Sequence, residues 1–297
     1  MDDAIHSNGL SRRFGRVAAV EGLDLRVPPG RISAFLGPNG AGKTTTIRLL
    51  LGLLRPHAGT CEVLGHPPGH PAALAQLGAL VESPSLYPHL TGLENVEITR
   101  ILRDLPRSET DRVLAQVGLA QDAQRQVRTY SLGMKQRLGM ALALLGHPRL
   151  LLLDEPTNGL DPVGIQEMRT LIRTLPRETG VTVFLSSHLL AEVEQTADHL
   201  VVIHRGRLRY QGPLDAFGGM ATPRLRVRVG DQARALALLT CAGFASTPGE
   251  DGIEVRAEAT RAPEVARILV GAGLDLQALA PVQSRLEERF LALVEGE

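Results

Sequence analysis

The chain is poor in cysteine, in aromatic side chains and in net charge, and each shortage removes a class of function. Its two cysteines, Cys61 and Cys241, stand far apart, which excludes a disulfide scaffold. The sequence opens Met1-Asp2-Asp3 instead of with a basic stretch and an apolar run, so no secretory leader is expected. Nothing approaches the roughly 18 consecutive apolar residues of a membrane span. The longest leucine-rich stretch, Ile47 to Leu54, is broken by Arg48 and Gly52. Lysine plus arginine numbers 32 and aspartate plus glutamate 32, so no overall field draws the protein to nucleic acid or to an anionic membrane. Aromatics make up 3% of the chain, and none interleaves Arg224, Arg226 and Arg228; these arginines read as a solvated strand face, not an RNA platform. What is left is a cytosolic protein of 297 residues, 43% hydrophobic, able to bury one large core or two unequal ones.

Against these absences stand four pieces of nucleotide chemistry, in an order that makes them a set. The first is Gly37-Pro38-Asn39-Gly40-Ala41-Gly42-Lys43-Thr44. Ile32 to Leu36 reads as a strand leading into it, and Thr45 to Leu54 as a helix with Ile47, Leu50, Leu51 and Leu54 facing a core. Glycines at 37, 40 and 42 let the backbone wrap phosphate while loop and helix N–H groups point at the anion. Lys43 is expected on the β- and γ-phosphates and the Thr44 hydroxyl on Mg²⁺. The second piece, Leu150 to Leu153, reads as a strand buried on both faces, ending in Asp154 and Glu155. Polar groups at the carboxyl end of such a strand stand where ligands bind. Asp154 is the candidate for holding Mg²⁺, directly or through its waters, and Glu155 for orienting and deprotonating the attacking water. His188, the third, follows the apolar strand Val181 to Leu185 and arrives at the same sheet edge, where a histidine can contact the γ-phosphate and sense its loss.

The fourth piece, Tyr130-Ser131-Leu132-Gly133-Met134, precedes a helix from Gly133 to Leu145, after helices at Leu93 to Leu102 and Glu109 to Val117. Ser131 and Gly133 can offer a hydroxyl and backbone N–H groups to an anion, or they can form a plain helix cap. The insertion from about 83 to 147 holds them away from Lys43, so a head-to-tail pair of chains is the economical way to give them a phosphate. ATP then closes the pair and loss of the γ-phosphate separates it.

Over about residues 5 to 217 the sequence resembles the ATP-binding subunits of ABC transporters. The resemblance rests on the phosphate loop at 37 to 44, the signature segment Tyr130-Ser131-Leu132-Gly133-Met134-Lys135-Gln136-Arg137, the acidic strand at 150 to 155, Asp161 in Gly159-Leu160-Asp161-Pro162, and His188. It implies an α/β P-loop nucleotide-binding domain with an ABC-type helical subdomain, and a Mg²⁺-dependent ATPase working as a dimer that sandwiches two ATP molecules. The implied nucleotide ligands are Phe14, stacked on adenine, the loop from Gly37 to Thr44 with Thr45, and, across the dimer, Ser131, Gly133 and Asp161. Two positions depart from the family pattern. Glu82 stands where most members have glutamine, and Leu132 replaces the first glycine of the signature. Glu82 is assigned a place near the metal and the reacting water, its carboxylate adding negative charge there. Both variants resemble those of bacterial exporters that handle bacitracin, lantibiotics and other drugs. The resemblance therefore implies export powered through a separate multi-span permease, antibiotic resistance as a setting, and attachment to the inner face of the membrane through that partner. Leu86, Tyr87 and Leu90 are candidates for the permease contact. The alternatives are an importer subunit, or a soluble ATPase of translation or DNA repair, which would carry two cassettes or a long coiled coil or zinc insertion.

The tail reads as a second, smaller unit, placing the domains at 1–217 and 218–297. A strand and hairpin at 200 to 211 precede a linker, Phe217 to Pro223. Leu225, Val227 and Val229 alternate with arginines, Ala233 to Leu239 reads as a helix, Ile253 and Val255 alternate again, and Pro263 to Leu269 reads as a second helix. The order implies a βαββαβ-like α+β accessory domain. It is followed by a last helix capped by Ser284 and Glu287, with Leu286, Phe290 and Leu293 on one face.

Overall fold

The computed structural model describes residues 3–82, 84–219, 224–249, 252–281 and 286–295. It divides after Leu214 into two compact units. In the first, strands β1 (Ile5–Phe14), β2 (Val17–Leu23) and β3 (Arg26–Val27) precede β4 (Ile32–Leu36) and helix α1 (Lys43–Leu50). Next come β5 (Ala58–Val63), the short α2 (Pro71–Leu74) and β6 (Leu77–Leu80). Helices α3 (Gly92–Leu102), α4 (Ser108–Gln116) and α5 (Leu132–Leu144) form the inserted helical piece. The chain then returns through β7 (Leu150–Asp154), α6 (Pro162–Thr179), β8 (Thr182–Ser187), α7 (Leu190–Thr196), β9 (His199–His204) and β10 (Arg207–Pro213).

Two sheets carry this unit. In one, β1 pairs antiparallel with β2, β3 and β5. The other runs β10-β9-β4-β8-β7-β6, parallel except for the antiparallel pairing of β9 with β10. Every residue of β4, β7 and β8 is buried, as expected of strands covered on both faces. Ile5, Leu10, Val20 and Val63 from the antiparallel sheet share one core with Phe35, Leu150, Leu152, Phe184 and Val201 from the parallel one, and with Ile47 and Leu50 of α1. Phe35 and Phe184 stack within it at 5.3 Å between ring centres. The fold thus brings three buried strands side by side in the order β4, β8, β7 and points their carboxyl ends the same way.

The sequence expectation extends α1 too far. The helix starts at Lys43 and ends at Leu50, because Gly52 takes a left-handed φ of 73° and packs against Gly69, where an added Cβ meets backbone at 2.7 Å. Leu54 therefore packs from a loop against the core. The helices of the insertion lie within a residue of their expected ends. Thr91 and Glu94 close a capping box on α3, and Ser131 caps α5.

The second unit takes α8 (Leu214–Gly219) from its second residue on, followed by β11 (Arg224–Val229), α9 (Gln232–Cys241), β12 (Ser246–Gly249), β13 (Gly252–Arg256), α10 (Ala262–Gly271), β14 (Leu276–Pro281) and α11 (Leu286–Glu295). Phe217 to Gly219 are helical, and Phe217 is buried. They are helix and not linker, and the Arg289 guanidinium lies 5.3 Å over the Phe217 ring. The rest of that expected linker, 220–223, lies outside the described residues, as do Ser284 and the side chain of Glu287. The sheet order is β12-β13-β11-β14 with all pairs antiparallel, a βαββαβ layer. Leu225, Val227, Ile253 and Val255 point inward with Leu239, Val265 and Leu269 of the helices. Arg226 and Arg228 lie exposed on the other side, and Arg224 pairs with Glu254.

Candidate nucleotide site

The loop after β4 is built by packing as well as by phosphate chemistry. A Cβ at Gly37 would sit 2.4 Å from the carbonyl oxygen of Ile203, and one at Gly42, at φ 109°, 2.3 Å from that of Ala19. Neighbouring backbone alone therefore demands these two glycines. Gly42 opens α1 with no side-chain cap, which leaves the first-turn N–H groups and the positive helix end for an anion. Asn39, Gly40, Gly42, Lys43, Thr44 and Thr45 line a cleft of about 330 Å³, together with Ala19, Glu155, Asn158 and His188. Ala41 is buried beneath it, its N–H donating to Pro38 O at 3.1 Å.

Lys43 is almost fully buried, and its ammonium donates to the carbonyls of Gly37 at 2.7 Å and Pro38 at 3.3 Å. It also lies 3.2 Å from Oε1 of Glu155. The other carboxylate oxygen, Oε2, is 2.8 Å from His188 Nδ1. Glu155 thus stands between a lysine from the end of β4 and a histidine from the end of β8, the three having come from distant parts of the chain. Its backbone is left-handed, φ 48°, a conformation costing about 1–3 kcal/mol that persists only where surroundings enforce it. The Glu155 N–H donates to Ser186 Oγ at 2.9 Å, and that hydroxyl donates to Asp154 Oδ1 at 2.6 Å. Asp154 is 3% exposed, so the serine removes part of the cost of burying its charge. One carboxylate oxygen is left for other work. Thr44 lines the cleft, whereas Asp154 is buried and is not among the residues that line it; both carry oxygen donors of the hard kind that suits Mg²⁺.

Other expected residues stand apart from this cleft. The Glu82 side chain is exposed and paired with Arg48, and Glu82 is not among the residues lining the cleft. Its φ of 59° fixes that turn. Phe14 is 46% exposed at the end of β1, with the Arg12 guanidinium 5.0 Å over its ring. Ser131 accepts from the Met134 N–H at 3.2 Å, and Asp161 caps α6 by accepting from Gly164 at 2.9 Å. A Cβ at Gly133 would meet nothing closer than 3.9 Å among the described residues, none of which requires glycine there. Leu132 is 53% exposed, and its side chain comes within 3.1 Å of a Cβ built on Gly159. The signature and the Asp161 loop therefore adjoin on one surface.

Three residues that sequence reading passed over belong to the site. Asn158 lines the cleft, Ser186 joins the two acids, and buried Gln136 donates to Pro156 O at 3.0 Å, tying α5 to the turn after Glu155. The polar pair Ser186-Ser187 ending an apolar strand was the available signal for the second of these.

A phosphate loop at one strand end, an acidic pair at another and a histidine between them, with an inserted set of helices, define a nucleotide-binding domain of the ATPase kind. The ABC transporter family matches residues 20–158. Over the whole chain the sequence is 40% identical to the bacitracin transport ATP-binding protein BcrA of Bacillus licheniformis, covering 99% of that protein. It is 39% identical to the lantibiotic transport ATP-binding protein SrtF of Streptococcus pyogenes over 67% of this chain and 86% of that one. A solved ATP-binding subunit of an ABC transporter superposes with a TM-score of 0.65 at 30% identity, covering 72% of this chain and 91% of that one. The chain belongs to the ATP-binding subunits of ABC transporters, and is homologous to the bacitracin and lantibiotic transport ATP-binding proteins within that family.

Proposed function

We propose that this chain is a Mg²⁺-dependent ATPase that works as a head-to-tail dimer and powers export of a peptide antibiotic, drug or lipid-like compound through a separate membrane permease. The observation carrying the ATPase assignment is the position of Glu155, its carboxylate shared between Lys43 and His188 beside the phosphate loop. An arriving triphosphate carries several negative charges against one on Glu155, so it takes over the Lys43 ammonium and frees Oε1. That oxygen then accepts a proton from the water that attacks the γ-phosphorus. His188, at the other oxygen, keeps the carboxylate aimed and contacts the γ-phosphate. Asp154 and Thr44 are the residues that hold Mg²⁺, which when bound offsets charge on the phosphate oxygens. Glu82 reaches that region only by leaving Arg48, and Phe14, exposed and flat, is available to adenine.

The dimer is supported by the surface around Ser131 and Gly133, whose glycine no contact among the described residues demands. Paired head to tail, the signature and Asp161 of one copy complete the nucleotide site of the other. A peptide-antibiotic cargo is supported by the names of the bacitracin and lantibiotic transport relatives, and export, rather than import, by the Glu82 and Leu132 variants and the accessory tail, which resemble those of exporters. No helix among the described residues is long and apolar enough to cross a membrane, so the pore belongs to a partner. Tyr87 is exposed and Leu86 and Leu90 half-buried, the arrangement a docking permease helix needs. The partner places the chain at the inner face of the membrane.

Glu155→Gln is expected to keep ATP binding, to accumulate an ATP-dependent dimer in size-exclusion chromatography, and to slow phosphate release by about a hundredfold or more. Hydrolysis at the parental rate removes Glu155 as the base. Co-purification of a multi-span permease, and loss of resistance when both are deleted, tests the export assignment; capture of an extracytoplasmic binding protein instead favours import.

A further inference from the structure

The turn that carries Glu155 and the turn that carries His188 meet at one carboxylate oxygen that belongs to neither. Oε2 of Glu192, in α7, accepts from Thr157 Oγ1 at 2.8 Å and lies 3.3 Å from Ser187 Oγ. Thr157 is two residues beyond Glu155, and Ser187 immediately precedes His188. The Ser187 hydroxyl in turn accepts from the N–H of Leu189, the residue after His188, at 3.0 Å. Glu192 is half-buried and lines none of the nucleotide cleft, so it does not reach substrate. What it touches are the two supports of a pair of side chains set 2.8 Å apart.

The turn at Glu155 needs such support. Its left-handed residue is held on one side by Ser186 and by the Asn158 N–H donating to Glu155 O at 3.0 Å, and on another by Gln136 on Pro156 O. Thr157 is the one side chain of the turn that reaches α7. Resting on the assignment of Glu155 and His188 to ATP hydrolysis, we propose that Glu192 is a positioning residue whose shared oxygen locks the Glu155 turn to the His188 turn, so that base and γ-phosphate contact move as one piece. The role is that of an acceptor, and a glutamine oxygen can fill it.

The test measures steady-state hydrolysis and ATP affinity of the full chain. Glu192→Ala is expected to lower kcat at least about tenfold while KM for ATP stays within about twofold, because sub-ångström errors in placement act on the chemical step. Glu192→Gln recovers most of that loss. Thr157→Val alone lowers kcat severalfold, and joined to Glu192→Ala adds nothing further, since both remove the same bond. Parental kcat in Glu192→Ala or Thr157→Val, a loss carried by KM, a glutamine variant as poor as alanine, or additive losses in the double variant each overturn the proposal. If Glu192→Ala does not fold, Glu192→Gln and Thr157→Val carry the test. Glu155→Gln run alongside separates the two layers. Undiminished hydrolysis there removes the underlying assignment, whereas its loss beside a fully active Glu192→Ala removes only the coupling.

Discussion

At the scale of single residues, the site depends on a few hydroxyls that carry no charge. Ser186→Ala is expected to leave Asp154 buried beside an unsatisfied Glu155 N–H, lowering stability by about 1–3 kcal/mol in urea titrations and reducing kcat as the left-handed turn relaxes. Unchanged unfolding and hydrolysis would show that Ser186 supports neither acid. The ionisable residues of the candidate site, Lys43, Asp154, Glu155 and His188, are legible in the sequence because each follows a recognisable apolar strand or glycine loop. Ser186 is not, because its partner is set by register: it stands opposite Asp154 in the pairing of β7 with β8, which neither strand alone reveals. The two thiols differ for a similar reason. Burial pushes Cys61 up to about 12, with Glu62 adding to the effect, while Cys241 is exposed on α9. Thiolate is the reactive form. An aromatic disulfide reagent at pH 8 is therefore expected to titrate one thiol promptly and the other only after denaturation, and Cys241→Ser to abolish the prompt phase. Two equal prompt phases would contradict this.

At the scale of elements, the helical insertion is fastened by ion pairs as well as by packing. Glu109 in α4 accepts from Nε and Nη2 of Arg112, each at 2.7 Å, and from the Gly146 N–H at 2.8 Å, and lies 3.1 Å from His147. Arg112 and Gly146 hold its carboxyl down at about 2, the arginine bond being the larger cause and burial opposing both. A depressed folded value means that this contribution is complete above the ordinary carboxylate value of 4.5 and is lost as pH falls toward about 2. The stability difference between the parental chain and Glu109→Gln is expected to be constant from pH 7 to 5 and to shrink between pH 4.5 and 2, read by urea unfolding. A difference independent of pH would remove Glu109 as an ionised anchor. The ends of α3, α4 and α5 were readable from the helical runs, with Ser131 a possible cap of α5, whereas the Thr91–Glu94 capping box emerged only in the structure. The end of α1 was not, because Leu51 and Leu54 continue the apolar pattern past Gly52, and only the close approach of Gly69 stops the helix.

At the scale of the molecule, the two units keep separate cores, and every residue of the nucleotide cleft lies before Leu214. A chain ending at residue 214 is therefore expected to unfold cooperatively and to bind a fluorescent ATP analogue within about threefold of the full chain. Loss of binding would make the second unit part of the site. The βαββαβ order of that unit was legible in alternating Leu225-Val227-Val229 and Ile253-Val255, whereas its strand order is fixed by pairings between segments far apart and left no trace in either one. The adjacency of β4, β8 and β7 has a last consequence. Loop, histidine and Glu155 follow three strands whose order in space differs from their order along the chain, and β8, the middle one, is threaded after both of its neighbours. An unfinished polypeptide emerging from the ribosome already has the loop and the acids, yet it has no strand between them to bring them within reach. The cleft is therefore assembled only once β8 has been made.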